Sequence, residues 1–423
     1  MFFLALVFQP NTKALKLQIS YSKDKLIRKS IKVTGSKSET NRSLLLQALF
    51  SDISIENLSN SDDGEVMQKG LATSKGVVDI HHAGTAMRFL TAYFASQEGK
   101  EVVLTGSHRM QERPIKVLVE ALRELGAEIT YEKNEGYPPI KIRGKKLTNN
   151  QVSLPANISS QYISALLLIA PSLENGLELE LVGKITSVPY IKMTLGLLDH
   201  IGVETEFEGN QIRVTPKKSI EKTTLVVESD WSSASYFYSI VALADVGTEI
   251  KLSSYKENSL QGDSILAKVY TDFGVETSFS EHQITLSKVR ESEVDTISYD
   301  LSNAPDIAQT ISVTCFGLGM GCRLTGLHTL PIKETDRLAA MQTELQKVGA
   351  TVVIDHESLT LQPSKPIVSG ATIDTYHDHR MAMAFGPLGL KTTLIVNDAG
   401  VVSKSYPDFW KDLKTLGFST EEL

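Results

Sequence analysis

At several points along the chain, apolar residues recur at helical spacing just ahead of a glycine, and a β-favouring run usually follows. The segments are Val119–Ile129, Leu195–Thr205, Ile265–Thr277, Met341–Val352 and Leu413–Phe418. Each predicts an amphipathic helix closed by a C-terminal glycine and leading into a strand. The glycines are Gly126, Gly202, Gly274, Gly349 and Gly417, spaced 76, 72, 75 and 68 residues apart. A weaker sixth copy is expected at Gly76. This period exceeds that of stacked solenoids and points instead to a small α/β module used about six times. Behind Gly202 the pattern predicts a hairpin, Val203–Phe207 and Gln211–Thr215, turning at Glu208-Gly209-Asn210. Helix–glycine–strand joints occur in any α/β protein, but the evenness of the spacing favours repetition.

The length, 423 residues, suits two or three domains. No Pro/Ser-rich linker separates halves. A crossover is expected near Glu228-Ser229-Asp230, just before the helix that opens at Trp231. The N-terminal run MFFLALVFQP is too short for a bilayer span. It lacks a basic n-region and a small-residue cleavage site, so a first strand or an extension is expected.

The formal net charge of −7 leaves no general basic surface for nucleic acid. A site for an anion must therefore gather its cations locally. The two cysteines, Cys315 and Cys322, lie in a Gly-rich apolar stretch. They read as core residues rather than a disulfide framework or a zinc site. A reducing cytoplasm is the expected compartment.

Cations do gather, and they do so at expected helix entrances. Lys37, Ser38 and Arg42 lie in GSKSETNR, between the strand-like run Ser30–Val33 and an apolar helix, Ser43–Phe50. Free N–H groups and the helix dipole suit phosphate or carboxylate there. The Walker A spacing is absent. Gly84 and Thr85 stand at a loop-to-helix joint, where glycine lets backbone approach a ligand and threonine can serve as a plain cap. Arg113 precedes Pro114 and should stand at a helix entrance, its planar fork matching an oxyanion.

Ser159-Ser160-Gln161 and Ser187-Val188-Pro189-Tyr190 precede apolar helices and place hydroxyls at N-caps. In Lys333-Glu334-Thr335-Asp336-Arg337 a charged run opens a helix, with Glu334 as an acid/base candidate among cations. Asp306 stands in a mostly uncharged helix start. Arg380 opens another helix in DHRMAM, and Lys404 follows in VVSKSYPDFW. His377 and His379 lack further ligands at metal spacing. A chain of net negative charge with cations at so many entrances looks built to hold polyanions.

Eight motifs in order, GSKSETNR, AGTAMR, ERPI, SSQ, SVPY, PIKETDR, DHRMAM and SKSYPD, closely resemble those of the EPSP synthases (3-phosphoshikimate 1-carboxyvinyltransferases). The resemblance runs from about Lys32 to Leu416. It implies an α/β fold of two lobes, each of three βαβαββ units about a pseudo-threefold axis, an inside-out α/β barrel. The inserted lobe would be 36–228, and the other would join 1–35 to 229–423. The implied reaction transfers the enolpyruvyl group of phosphoenolpyruvate to the 5-hydroxyl of shikimate 3-phosphate by addition and elimination. It needs no cofactor and no metal. The implied protein is commonly a monomer, with neither nucleic acid nor membrane as a partner.

The resemblance assigns Ser38, Arg42, Ser159, Ser160, Ser187, Tyr190, Asp306 and Lys333 to shikimate 3-phosphate. It assigns Gly84, Arg113, Arg337, Arg380 and Lys404 to phosphoenolpyruvate, with Lys37 and Gln161 touching both. Asp306 fits the base on the hydroxyl, and Glu334 with Lys37 fits proton traffic at the methylene carbon. Three positions depart from the family pattern: His82 and Thr329 where asparagine is common, and Phe89 where proline is common. They bear on the shape of the phosphoenolpyruvate pocket and of the shikimate phosphate site. The rival readings are a UDP-N-acetylglucosamine enolpyruvyl transferase, which typically carries a reactive cysteine near its ERPI-equivalent, and an inactive anion-binding scaffold. The first lacks that cysteine here, and the second is opposed by intact Lys37, Asp306, Glu334 and Arg337.

Overall fold

The computed structural model describes residues 15–22, 26–156, 159–183, 185, 187–364 and 366–423. The N-terminal apolar run, expected to be a strand or an extension, lies outside them. The described strands form five four-stranded sheets and one parallel pair.

One sheet shows the rule for the rest. Lys75–Asp79 runs parallel to Glu101–Thr105, which pairs antiparallel with Ile140–Arg143, which pairs antiparallel with Glu128–Tyr131. A parallel pair needs a crossover, and the helix Gly84–Ser96 supplies it. The helix Lys116–Glu124 then leads to the closing hairpin. The result is a βαβαββ module with its strands in the order first, second, fourth, third. The sheets that begin at Gln151–Pro155 and Thr296–Asp300 repeat this order.

Two further sheets take a strand from the start of the chain. Arg28–Ile31 lies parallel to Glu249–Ser253, and Leu17–Tyr21 sits between Leu394–Val396 and Phe418–Glu422. The sixth module is reduced to Thr223–Val226 beside Ile53–Glu56.

The glycine joints hold at Gly126, Gly202, Gly274, Gly349 and Gly417, all in the left-handed region at φ 107°, 77°, 75°, 101° and 101°. The hairpin after Gly202 forms as Thr205–Glu208 with Gln211–Val214. Two expectations are corrected. Gly76 shares the positive φ, at 103°, but it lies inside the strand Lys75–Asp79 rather than at a helix end, and the helix before it, Asp62–Ala72, closes at an extended Thr73. The segment from Ile265 is broken into a 3-10 turn Gly262–Ile265, an α-helical turn Leu266–Val269 and a second 3-10 turn Tyr270–Phe273.

Buried apolar side chains fall into two clusters. One draws on residues between Leu44 and Leu225, the other on Leu17–Val33 together with Trp231–Phe418. The chain passes between them twice, and the two passages lie side by side. Ser36 N–H donates to the Glu228 carbonyl at 2.7 Å, and Asp230 N–H to that of Thr34 at 3.3 Å. The Ser229 hydroxyl donates to the Val33 carbonyl at 2.6 Å. Glycine is required at position 35, because a Cβ there would stand 1.9 Å from the Asn57 carbonyl oxygen. The Glu39 carboxyl accepts from Glu228 N–H at 3.1 Å. Burial pushes its pKa up to about 7, with the Glu228 carboxylate adding to the rise. Among the described residues no helix is long and apolar enough to cross a membrane.

Candidate active site

A cavity of about 450 Å³ opens where the two clusters face each other. Fifteen of the sixteen residues singled out from the sequence line it, and Lys404 lines a neighbouring cavity of about 430 Å³ that shares Arg113 and Glu334. Eight cations and three carboxylates border the larger cavity, five net positive charges in a chain whose own net charge is −7. The local concentration of cations demanded by the composition is therefore met at one place.

Helix starts bring these side chains together. The first helix spans Lys37–Leu49 and so begins six residues before the expected Ser43. Its opening turns are polar yet buried from Glu39 to Ser43. Lys37 pairs with Asp63 at 3.1 Å. Burial works to lower the Lys37 pKa, but Asp63 and Glu334 outweigh it and the net shift is upward. Arg42 is fully engaged: Nε donates to Thr194 Oγ1 at 2.8 Å, Nη2 to Ser164 Oγ at 2.9 Å and Nη1 to the Ser38 carbonyl at 2.8 Å. Its guanidinium also lies over the Phe89 and Tyr190 rings.

Gly84 is the first residue of the helix Gly84–Ser96, and Arg113 packs on it. A Cβ at Gly84 would stand 2.6 Å from Arg113 Nη1. Among the described residues the Arg113 guanidinium has neither a hydrogen-bond acceptor nor an ion-pair partner. Burial, with Arg88 alongside, brings its pKa down to about 10, so it stays charged at neutral pH. Ser159 caps the helix Ser160–Ile169 by accepting from Gln161 N–H at 3.4 Å. The Gln161 amide donates to Thr85 Oγ1 at 3.1 Å. Ser187 stands before the helix Val188–His200 in the left-handed region at φ 55°, but its hydroxyl makes no cap bond. The expected second cap is thus absent. Tyr190 reaches across, its hydroxyl 3.5 Å from Asp306 Oδ2.

The opposite wall is an ion-pair network. Lys333 and Glu334 precede the helix Arg337–Lys347 rather than opening it, and Asp336 caps it by accepting from Ala339 N–H at 3.1 Å. Arg337 is buried and meets Asp378 at 2.6 Å, Glu334 at 2.8 Å and Asp306 at 2.8 Å. Asp306, in the 3-10 turn Pro305–Ile307, also meets Arg380 at 3.3 Å and Lys333 at 3.5 Å. Burial alone would raise the Asp306 carboxyl, but Arg380, Lys333 and Arg337 outweigh it and hold it far below the carboxylate range. Glu334 is likewise held well below it, burial being overcome by Arg337, Arg113 and Lys37. Lys404 Nζ donates to the His377 carbonyl at 2.6 Å. Burial lowers its pKa.

Several lining residues escaped the sequence reading. Arg88 is buried, donating to the Gly84 carbonyl at 3.2 Å and to that of Pro114 at 2.9 Å. It braces the loop that presents Arg113, and its only sequence trace is its place in AGTAMR. Asp63 pairs with Lys37 from a helix start that reads as ordinary dipole chemistry. His328, also unforeseen, lines the cavity together with Thr329 and His379, which the sequence had singled out on other grounds; Nε2 of His328, Oγ1 of Thr329 and both His379 ring nitrogens make no hydrogen bond among the described residues. His379 is held neutral by burial and by the nearby Lys37 and Arg380.

Fold and site together define a two-lobed α/β protein with buried carboxylates set among cations at the cleft. Residues 65–413 match the family described as EPSP synthase (3-phosphoshikimate 1-carboxyvinyltransferase). A 3-phosphoshikimate 1-carboxyvinyltransferase of Bacteroides fragilis is 45% identical over 93% of this chain and 96% of its own. One from Haemophilus influenzae is 36% identical over 92% and 96%. Among solved structures, EPSP synthase from Acinetobacter baumannii superposes with a TM-score of 0.78 at 21% identity, covering 96% of this chain and all of that one. The chain belongs to the EPSP synthase family.

Proposed function

We propose that the cleft transfers the enolpyruvyl group of phosphoenolpyruvate to the 5-hydroxyl of shikimate 3-phosphate and releases inorganic phosphate. The observation that carries this reading is the pairing of a free cation, Arg113, with an opposite wall where Asp306 and Glu334 stay ionised among Lys333, Arg337 and Arg380. Two anionic substrates side by side need such surroundings to offset their repulsion.

In this reading Ser38, Arg42, Ser159, Ser160, Ser187, Tyr190 and Lys333 hold shikimate 3-phosphate. Gly84, Arg113, Arg337, Arg380 and Lys404 hold phosphoenolpyruvate, and Lys37 and Gln161 lie between. Asp306 takes the proton of the 5-hydroxyl as its oxygen bonds to C2 of phosphoenolpyruvate. The Glu334–Lys37 side delivers a proton to the methylene carbon, making a methyl group in a tetrahedral adduct. Elimination reverses the second transfer: a methyl proton leaves, the C–O bond to phosphate breaks, the vinyl ether forms, and the proton held by Asp306 passes to the departing phosphate, which restores the carboxylate. The two buried clusters support two lobes, 36–228 and 1–35 with 229–423, that close on the substrates and exclude water. We place the protein as a monomer in the cytoplasm; the two buried free thiols bear only on the compartment, where they fit a reducing one.

A phosphate-release assay tests this. Phosphoenolpyruvate with shikimate 3-phosphate should release phosphate, and phosphoenolpyruvate with UDP-N-acetylglucosamine should not. The opposite pattern would establish the sister chemistry, and no release with either would leave only an anion-binding scaffold.

A further inference from the structure

Behind the cleft, Asp263 is buried at 4% exposure in the turn Gly262–Ile265, although no step above uses it. Its Oδ2 accepts from the Ser232 hydroxyl. Its Oδ1 is buried and makes no hydrogen bond among the described residues. The Ser232 oxygen in turn accepts from Arg380 Nη2 at 3.2 Å. That same nitrogen donates to Asp306 Oδ2 at 3.3 Å, while Arg380 Nη1 donates to the Asp306 carbonyl at 3.2 Å. One guanidinium nitrogen is therefore shared between the reacting wall and a second carboxyl reached through a serine.

We infer that Asp263 is a positioning residue for phosphoenolpyruvate binding, acting through Ser232 to set how far Arg380 is drawn back from the cleft. The inference rests on the reading of Arg380 as a phosphoenolpyruvate ligand. When Asp263 is neutral, Ser232 is a plain hydroxyl anchor and Arg380 serves Asp306 and the cleft. When Asp263 is ionised, its charge polarises the serine, strengthens the rear hydrogen bond and competes with the substrate for Arg380.

The charged and titratable groups around Asp263 come from every neighbouring element: Asp306, Arg380, Asp230, Tyr190, Tyr236 and Lys37. Burial, with Asp306 next in weight, brings the Asp263 pKa up to about 7. Asp306 lies far below that window and Lys37 above it. Burial, with Asp306 alongside, likewise puts Tyr190 well above it.

The test is the KM for phosphoenolpyruvate from about pH 6 to about pH 8.5, with shikimate 3-phosphate saturating, in the parent, Asp263→Asn and Ser232→Ala. In the parent KM should rise across neutrality by roughly five- to tenfold, the low end of coupling between linked sites. Asp263→Asn, which keeps an acceptor and cannot ionise, should remove that rise. Ser232→Ala, which removes the link between Asp263 and Arg380, should blunt the pH dependence of KM. Titration of the substrate phosphate affects all three proteins alike and drops out of the comparison. A parent profile that is flat, or an Asn variant that rises like the parent, overturns the inference. A Ser232→Ala profile matching the parent does so even if Asp263→Asn fails to fold. Calorimetric binding of inorganic phosphate over the same pH series needs no turnover. It therefore separates failure here from failure of the functional reading: the parent should bind phosphate progressively less tightly than Asp263→Asn as pH rises, and equal curves overturn the inference.

Discussion

Asp306→Asn separates catalysis from binding at the centre of the ion-pair wall. The parent carboxylate faces Arg337 at 2.8 Å, Arg380 at 3.3 Å and Lys333 at 3.5 Å, and it is 12% exposed. Asparagine keeps the shape and an acceptor oxygen but removes the charge. Arg337 is then left with Glu334 and Asp378, while Lys333 and Arg380 lose the one ion-pair partner each has among the described residues. Breaking a buried pair costs about 3–5 kcal/mol. Arg337 keeps two of its three partners here, so the lower end, about 3 kcal/mol, is expected for folding stability.

The effect on the reaction should be larger and of a different kind. A positioned general base is worth about 10²–10⁴ in rate, and asparagine cannot take the hydroxyl proton. The extra uncompensated positive charge does nothing to repel anionic substrates. The expected outcome is kcat down by at least about a hundredfold, with KM for both substrates unchanged or lower. Steady-state phosphate release with each substrate varied in turn measures the split, and a thermal melt checks folding. A folded variant with kcat within about tenfold of the parent, or one that loses activity only through higher KM, would refute the assignment of Asp306 as base.

Three further outcomes follow from the geometry. Gly84→Ala places a methyl group 2.6 Å from Arg113 Nη1. KM for phosphoenolpyruvate should rise by roughly tenfold, as overpacking of about 1–2 kcal/mol predicts, with KM for shikimate 3-phosphate unmoved; equal rises in both would contradict the placement of Arg113. Glu39→Gln tests the buried carboxyl at the crossover, whose pKa is about 7 against 4.5 unperturbed. The native state holds this proton where the unfolded chain releases it, so parent stability falls as pH rises from the unfolded value through about 7. Gln should therefore stabilise more at about pH 8 than at about pH 5, by up to about 3 kcal/mol, and a pH-independent difference in melting temperature would show the argument wrong. Gly35→Ala, with its Cβ 1.9 Å from the Asn57 carbonyl oxygen, should destabilise by about 3 kcal/mol or more in denaturant unfolding, whereas a near-parental midpoint would mean the crossover can shift.

Much of this was legible in the chain because it is local. A glycine that must take positive φ after an amphipathic helix leaves a mark within a dozen residues, and five such marks revealed the module. Gly76 misled because a glycine in a strand looks the same as one at a helix end. The start of the first helix was misplaced because Glu39–Ser43 is polar and still buried. Apolar periodicity is blind to a helix turn whose burial comes from facing a charged cleft and a second lobe. Cation-bearing entrances were visible as short motifs, but their partners were not. Lys37 with Asp63, and Arg337 with Asp306 and Asp378, join distant segments. Only the fold brings them within reach, and neither residue of such a pair is unusual in its own stretch. Arg88 was missed for a related reason, since its work is to hold backbone carbonyls at Gly84 and Pro114.

The same network poses a conflict whose resolution is the mechanism. Asp306 and Glu334 are the acid/base candidates, yet their protein neighbours by themselves hold both far below the carboxylate range. A carboxylate stabilised so strongly is a poor base. The cations that suppress it, Lys333, Arg337, Arg380 and Arg113, are also those placed to receive substrate. Each phosphate brings roughly −1.5 to −2 charge, and each carboxylate adds one more. As these anions dock they draw on the same guanidinium and ammonium groups, and the field on Asp306 and Glu334 weakens. Their basicity should then rise when both substrates are present and the cleft is closed. The acid limb of kcat, which reports the loaded enzyme, should accordingly lie at higher pH than that of kcat/KM, which reports the free one. An acid limb at the same pH in both would mean that the cations stay on the carboxylates throughout, and that proton transfer is driven from elsewhere in the cleft.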